Sequence, residues 1–162
     1  MGTIERRGSR PTCSAFTPTQ MESSQEVLQQ ERVDTKSRLT KLVEIGKPIL
    51  EQSALIQERD FTEQDVVKIK EFFETSKPFI HPNVWPVYWE HVELAGTYAR
   101  TLGEKLQEKG MSVNPYELEA LGMIHDIGRL VSPHRFFRTN LVGESLLKKL
   151  GVRKDLLGKQ VP

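Results

Sequence analysis

The sequence predicts an all-α protein, and three observations carry that prediction. Apolar residues recur at three- and four-residue spacing in several separate stretches. Glycine, proline and asparagine fall where those stretches begin or end. No run of useful length alternates apolar with polar residues, and no internal repeat is visible.

Residues 1–34 are rich in Ser, Thr, Gln, Glu, Arg and Pro and hold few apolar anchors. Such a segment cannot bury enough surface to offset its ordering entropy, so a disordered N-terminal tail is expected. Over residues 35–80 a helical extension with a proline-rich connector is expected. Leu39, Leu42, Val43 and Ile45 follow a helical spacing that Gly46-Lys47-Pro48 interrupts. Pro48 suits the first turn of a new helix carrying Ile49, Leu50, Leu55 and Ile56. Thr62 and Asp65 resemble a capped helix start, with Val66, Val67, Ile69, Phe72 and Phe73 as the apolar face behind it. Pro78, Pro82 and Pro86 then break the chain.

Residues 81–162 form the remaining expected domain. His91, Ala95, Tyr98, Ala99, Leu102 and Leu106 make one stripe of a long helix, for which Gly110 is the C-terminal cap. Asn114-Pro115 reads as an N-cap followed by proline at the first helical position. That helix runs through Leu118, Leu121, Ile124, His125 and Ile127, with Gly128 in its last turn. A loop over residues 129–139 and a short helix from about Asn140 to Leu150, closed by Gly151, complete the reading. The end, from Val152 to Pro162, is too short and polar to promise another core element.

The 162 residues suit one domain with an extension, and an apolar content of 37% implies that part of the length lies outside a core. The formal net charge is +1, from 23 basic and 22 acidic residues, which argues against a nucleic-acid or membrane-surface field. Cys13 is the one cysteine, so an internal disulfide and a cysteine-based zinc site are both excluded. No apolar run approaches the roughly 18 residues of a membrane span, and no secretion signal is recognisable near the start. A cytoplasmic location is the expectation.

The informative constellation is His91 with His125-Asp126. Two imidazoles and a carboxylate suit a divalent transition metal. His91 lies near the start of one helix and His125 near the end of the next, on its buried side. Antiparallel packing of helices joined by a short turn brings those two ends together. Asp126 points about 100° further around the axis, yet can reach a cation beyond the helix surface. A His-Asp pair alone is weak evidence: with four histidines, chance supplies one about once in five such sequences. The apolar run before it, the glycine two residues after it and the upstream histidine make the pattern specific.

The run from Leu121 to Arg129, Leu-Gly-Met-Ile-His-Asp-Ile-Gly-Arg, resembles the namesake motif of the HD superfamily. His91-Val92-Glu93-Leu94-Ala95 resembles that family's first-histidine helix, and Leu141 to Val152 resembles the helix that commonly follows the motif. The resemblance covers residues 85–152 and implies an all-α, HD-domain-like helical bundle. It also implies a His, His-Asp, Asp ligand set, a divalent ion (Mn, Fe, Ni, Co, Zn or Mg) and hydrolysis of nucleotides or other phosphate esters. Carried over by position, His91, His125 and Asp126 are the metal ligands, and Asp126 is also a catalytic candidate. The family's last aspartate lies on a later helix. The chain ends at Pro162, and Asp155 is the only aspartate after Asp126. A piece of a longer protein, with a one-metal site, is therefore expected. Many two-metal relatives also carry a histidine where this chain has Asn140.

Arg129, Arg135 and Arg138 are candidates for holding phosphate oxygens, with Arg129 also a catalytic candidate. His134 is a candidate general acid or base. The plainer readings make those arginines a solvated loop and His81 a solvent-facing loop residue. Trp85, Tyr88 and Trp89 read as a packing staple for the incoming connector. Two functions are thus expected to compete. One is a metal-dependent phosphohydrolase acting on a small phosphate-containing substrate; the other is a catalytically incomplete helical module for protein interaction or signalling.

Overall fold

The computed structural model describes residues 18–132 and 139–157, with 18–33, 139 and 140 as backbone only. Among them there is no strand. The elements are α1 (Pro18–Leu50), α2 (Glu63–Ser76), a 3-10 turn (Lys77–Phe79), α3 (Trp85–Glu108), α4 (Pro115–Ile124), α5 (Gly128–Val131), α6 (Thr139–Leu150) and α7 (Lys154–Leu157). The chain divides into two compact units, one ending at Val33 and one beginning at Asp34. In the first, the helical backbone of 18–33 is what is described.

Helix α1 begins at Pro18, within the stretch whose composition led to the expected tail. Glu, Gln, Leu, Lys and Arg, all good helix formers, dominate its length. It also runs through Pro48 instead of restarting there. Leu42 and Leu50 are buried, and a Cβ at Gly46 would stand 2.6 Å from the Phe72 ring and 2.7 Å from Leu150. Close packing at Gly46 holds the last turn in register despite the proline. The expected helix through Leu55 and Ile56 is not formed: residues 51–59 are turns and bends, with Ser53 Oγ and Ser53 N–H both donating to the Leu50 carbonyl. Ala54 and Leu55 still reach the core.

Helix α2 starts as its capping pattern predicts. The Asp65 carboxylate accepts from Thr62 N–H at 2.8 Å and from the Thr62 hydroxyl at 2.9 Å. Val66, Ile69, Phe72 and Phe73 are buried, while Val67, expected on the same face, is 49% exposed. Asp65 itself is buried. Its carboxylate accepts from both Nη atoms of Arg59 and from Ala54 N–H at 2.9 Å. Burial alone would push this carboxyl up, but Arg59 and the backbone donors outweigh it and hold it down at about 2.

The α3–α4 pair runs antiparallel at close range. A Cβ on Gly103 would lie 2.9 Å from Pro115, one on Gly96 2.7 Å from Met123, and one on Gly122 2.7 Å from the Ala95 carbonyl. Asn114 caps α4 as expected, its Oδ1 accepting from Tyr116 and Glu117 N–H, and its Nδ2 donates to the Phe61 carbonyl at 2.9 Å. The buried side of α3 is Trp85, Tyr88, Val92, Gly96 and Gly103. Tyr98 and Leu102, expected on the apolar stripe, are 72% and 56% exposed. Small residues make the contact with α4, so the large side chains on the neighbouring arc face outward. Glu119 is buried near this seam and takes Arg100 at 3.3 Å and Lys70 at 4.0 Å.

The C-terminal residues do join the core, against expectation. Val152 and Leu156 are buried. Arg153 donates to the carbonyls of Gln57 and Arg59, and its N–H bonds the Leu55 carbonyl, so this stretch clamps the turns after α1. Gly110 and Gly151 hold positive φ of 81° and 90° just past α3 and α6, as helix-ending glycines do.

Candidate metal centre

The His-Asp dipeptide sits just beyond α4. The helix ends at Ile124, earlier than Gly128, and His125 is its C-cap residue with helical φ and ψ. The next bonds run from Ile127 to Ile124, Arg129 to Asp126 and Leu130 to Ile127, all of the tighter i to i−3 kind. This winding turns successive side chains through about 120° instead of 100°. Ile127, Leu130 and Val131 are buried and anchor the turn. Gly143 lets α6 approach this turn: a Cβ there would lie 3.1 Å from the Gly128 nitrogen.

Three expected ligands converge. His91 Nε2 and His125 Nε2 are 3.1 Å apart, and Asp126 Oδ2 lies 3.4 Å from the former and 3.7 Å from the latter. One donor atom from each lies within 4.8 Å of the others. Donors held roughly 2.1 Å from one cation, at angles of about 95–125°, are separated by about 3.1–3.7 Å. The set therefore fits a single divalent ion. Neither imidazole is deeply buried: the His91 side chain is 49% exposed and that of His125 35%, so the centre opens to solvent instead of facing the bundle interior.

The neighbours orient these donors. His125 Nδ1 lies 2.6 Å from the Gly122 carbonyl. A carbonyl only accepts, so Nδ1 carries the proton and the Nε2 lone pair faces the cluster. Arg129 Nε forms an ion pair with Asp126 Oδ2 at 2.9 Å, which places Arg129 on the candidate ligand itself. Tyr88, buried on α3, donates its hydroxyl to the Asp126 main-chain carbonyl at 3.1 Å. Burial raises the Tyr88 phenol well above its ordinary value, and the Asp126 charge adds to the effect.

Of the other candidates, His134, Arg135 and Arg138 lie outside the described residues. Asn140 is the second residue of α6, and its side chain is not described. Asp155 stands apart from the cluster, 59% exposed and 3.2 Å from Arg153. His81 is an exposed loop residue whose Nδ1 accepts from Asn83 N–H. Trp85, Tyr88 and Trp89 do pack as a staple: the two indoles stack at 5.7 Å, and Phe73 meets both Tyr88 and Trp89. Sequence reasoning missed the second duty of Tyr88 and the need for Gly122. Small residues at 95, 96, 99, 103 and 122 were the available signal for the close helix pair.

The family model of the HD domain matches residues 88–161. No curated protein and no solved structure matches the chain. The matched segment contains all three converging residues, and HD domains generally bind divalent metals. No helix among the described residues is long and apolar enough to cross a membrane.

Proposed function

With an HD domain over residues 88–161, we propose that the chain is a metal-dependent phosphohydrolase acting on a nucleotide or other small phosphate ester. The observation that supports this reading is the convergence of His91 Nε2, His125 Nε2 and Asp126 Oδ2 within 4.8 Å. In it, these three residues hold one divalent cation, of the group Mn, Fe, Ni, Co, Zn or Mg. Such an ion supplies Lewis acidity toward a phosphoryl oxygen and lowers the pKa of water. The chain's own residues do the rest. The Gly122 carbonyl keeps the His125 proton on Nδ1, and His91 offers its Nε2 from the facing helix. Asp126 contributes charge to the site and is shared with Arg129. In hydrolysis, water adds to phosphorus, the ester P–O bond breaks and a proton passes to the departing oxygen. Arg129, Arg135 and Arg138 are proposed to hold phosphate oxygens, and His134 is proposed as the proton carrier. A cytoplasmic location belongs to the same proposal.

Metal analysis of the purified chain tests it. Near-stoichiometric Mn, Fe, Ni, Co or Zn that disappears in His125→Ala supports the reading. A folded protein that retains none of these ions and binds neither Mn²⁺ nor Mg²⁺ in titration overturns it. Hydrolysis of a phosphate-ester panel with added Mn²⁺, lost in Asp126→Ala, tests the chemistry separately. A second reading, an HD-like helical module for interaction or signalling, is favoured by Asp155. That residue pairs with Arg153 outside the cluster, leaving three protein donors among the described residues. Metal binding without hydrolysis of any ester in the panel would select it.

A further inference from the structure

We propose that Tyr88 is a positioning residue of the candidate centre: by holding the Asp126 carbonyl, its hydroxyl sets the direction in which the Asp126 carboxylate faces the two imidazoles. The proposal rests on the metal-binding reading above. Tyr88 lies three residues before His91, so one turn of α3 presents both a ligand and this brace on neighbouring arcs. Its ring is 3% exposed and packs 6.1 Å from Trp85 and 6.2 Å from Phe73. Its hydroxyl crosses thirty-eight residues of sequence to reach the Asp126 carbonyl at 3.1 Å. That carbonyl also accepts the Arg129 N–H at 3.0 Å.

The two donors fix the peptide plane that leaves Asp126. The carbonyl carbon and Cβ share one Cα, so a fixed plane narrows the directions open to the side chain. The requirement is sharp here, because residues 125–127 lie in a short turn between α4 and α5. A slip of that turn moves Oδ2 away from both Nε2 atoms. Packing alone would be served by phenylalanine. The hydroxyl adds a rigid link from α3 to the main chain of the turn, and through the Trp85 and Phe73 rings it ties the ligands to α2.

The test uses the full chain, with Mn²⁺ titration by calorimetry, the absorption spectrum of added Co²⁺, and thermal unfolding. Tyr88→Phe is expected to weaken Mn²⁺ binding about 10- to 100-fold, as loss of a ligand-orienting partner does, and to alter the Co²⁺ bands at saturation. Phe73→Leu disturbs the same ring cluster but keeps the hydroxyl. It is expected to lower the unfolding temperature while leaving the Co²⁺ bands in place. Should Tyr88→Phe fail to fold, 4-fluorophenylalanine at position 88 fills the hydroxyl's space and keeps the ring while removing the donor; an unchanged Mn²⁺ affinity there overturns the proposal. Equal Mn²⁺ affinity and an unchanged Co²⁺ spectrum in a folded Tyr88→Phe protein overturn it too, with the metal-binding reading intact. An unsubstituted chain that binds neither ion instead removes the metal-binding reading and this inference with it.

Discussion

The Nε2 atoms of His91 and His125 stand 3.1 Å apart across thirty-four residues of sequence. The helices that carry them approach closely one turn away, at Gly122. A Cβ there would meet the Ala95 carbonyl at 2.7 Å and Ala99 Cβ at 3.0 Å.

Gly122→Ala is accordingly expected to cost about 1–3 kcal/mol of stability through overpacking, and to separate the two imidazoles. Urea unfolding and Mn²⁺ titration of the variant measure the two effects. A variant with unchanged stability would mean that α3 and α4 do not approach as described.

Arg129 pairs with the same Asp126 Oδ2 that faces the two imidazoles, the atom a bound cation would take. A guanidinium so close repels a divalent ion and competes for the same lone pairs. Arg129→Ala is therefore expected to raise metal affinity at low ionic strength by roughly fivefold, about 1 kcal/mol of relieved repulsion in a high-dielectric setting. Added salt should shrink that gain. A drop in metal affinity would instead make Arg129 a brace for the carboxylate.

The Arg59–Asp65 pair sets an acid limit on the fold. Asp65 is held at about 2 in the folded protein, below its usual 3.8. A lowered value contributes stability that is complete above 3.8 and is lost as pH falls through about 2. The contribution is on the order of 2 kcal/mol. Unfolding free energy measured at pH 6, 4 and 2.5 should fall most over the last interval, and Asp65→Asn should flatten that step. An unaltered acid profile in the variant would count against the pair.

Asn114→Ala removes the oxygen that caps α4 and the amide that reaches Phe61. A loss of about 1–2 kcal/mol is expected from the cap, read in thermal or urea unfolding. His125 caps the other end of the helix, with His91 of α3 beside it, so Mn²⁺ affinity in the folded variant should change less than twofold. A larger fall would show that fraying at the capped end reaches the ligands.

Elements defined by local chemistry were legible from sequence. The Asn114 cap, the Thr62–Asp65 start, the glycine stops at 110 and 151, and the convergence of His91, His125 and Asp126 all follow from spacing or from motif. What misled was tertiary context. Pro48 looks like a break, but the neighbours of Gly46 hold the helix together through it. Tyr98 and Leu102 look like core; glycine and alanine make the real contact, and small residues contribute little to an apolar pattern. The tail after Leu150 looks dispensable, although Val152 and Leu156 are buried and Arg153 bonds the carbonyls of Leu55, Gln57 and Arg59. The i to i−3 winding at 125–127 has no marker in the sequence at all.

Helix α4 is ten residues long, a rod of about 15 Å. Phe61 secures one tip and the imidazole pair occupies the other. Its length is thus the spacer between a structural joint and the candidate metal centre, so substitutions at the centre leave in place the joint that keeps the chain folded.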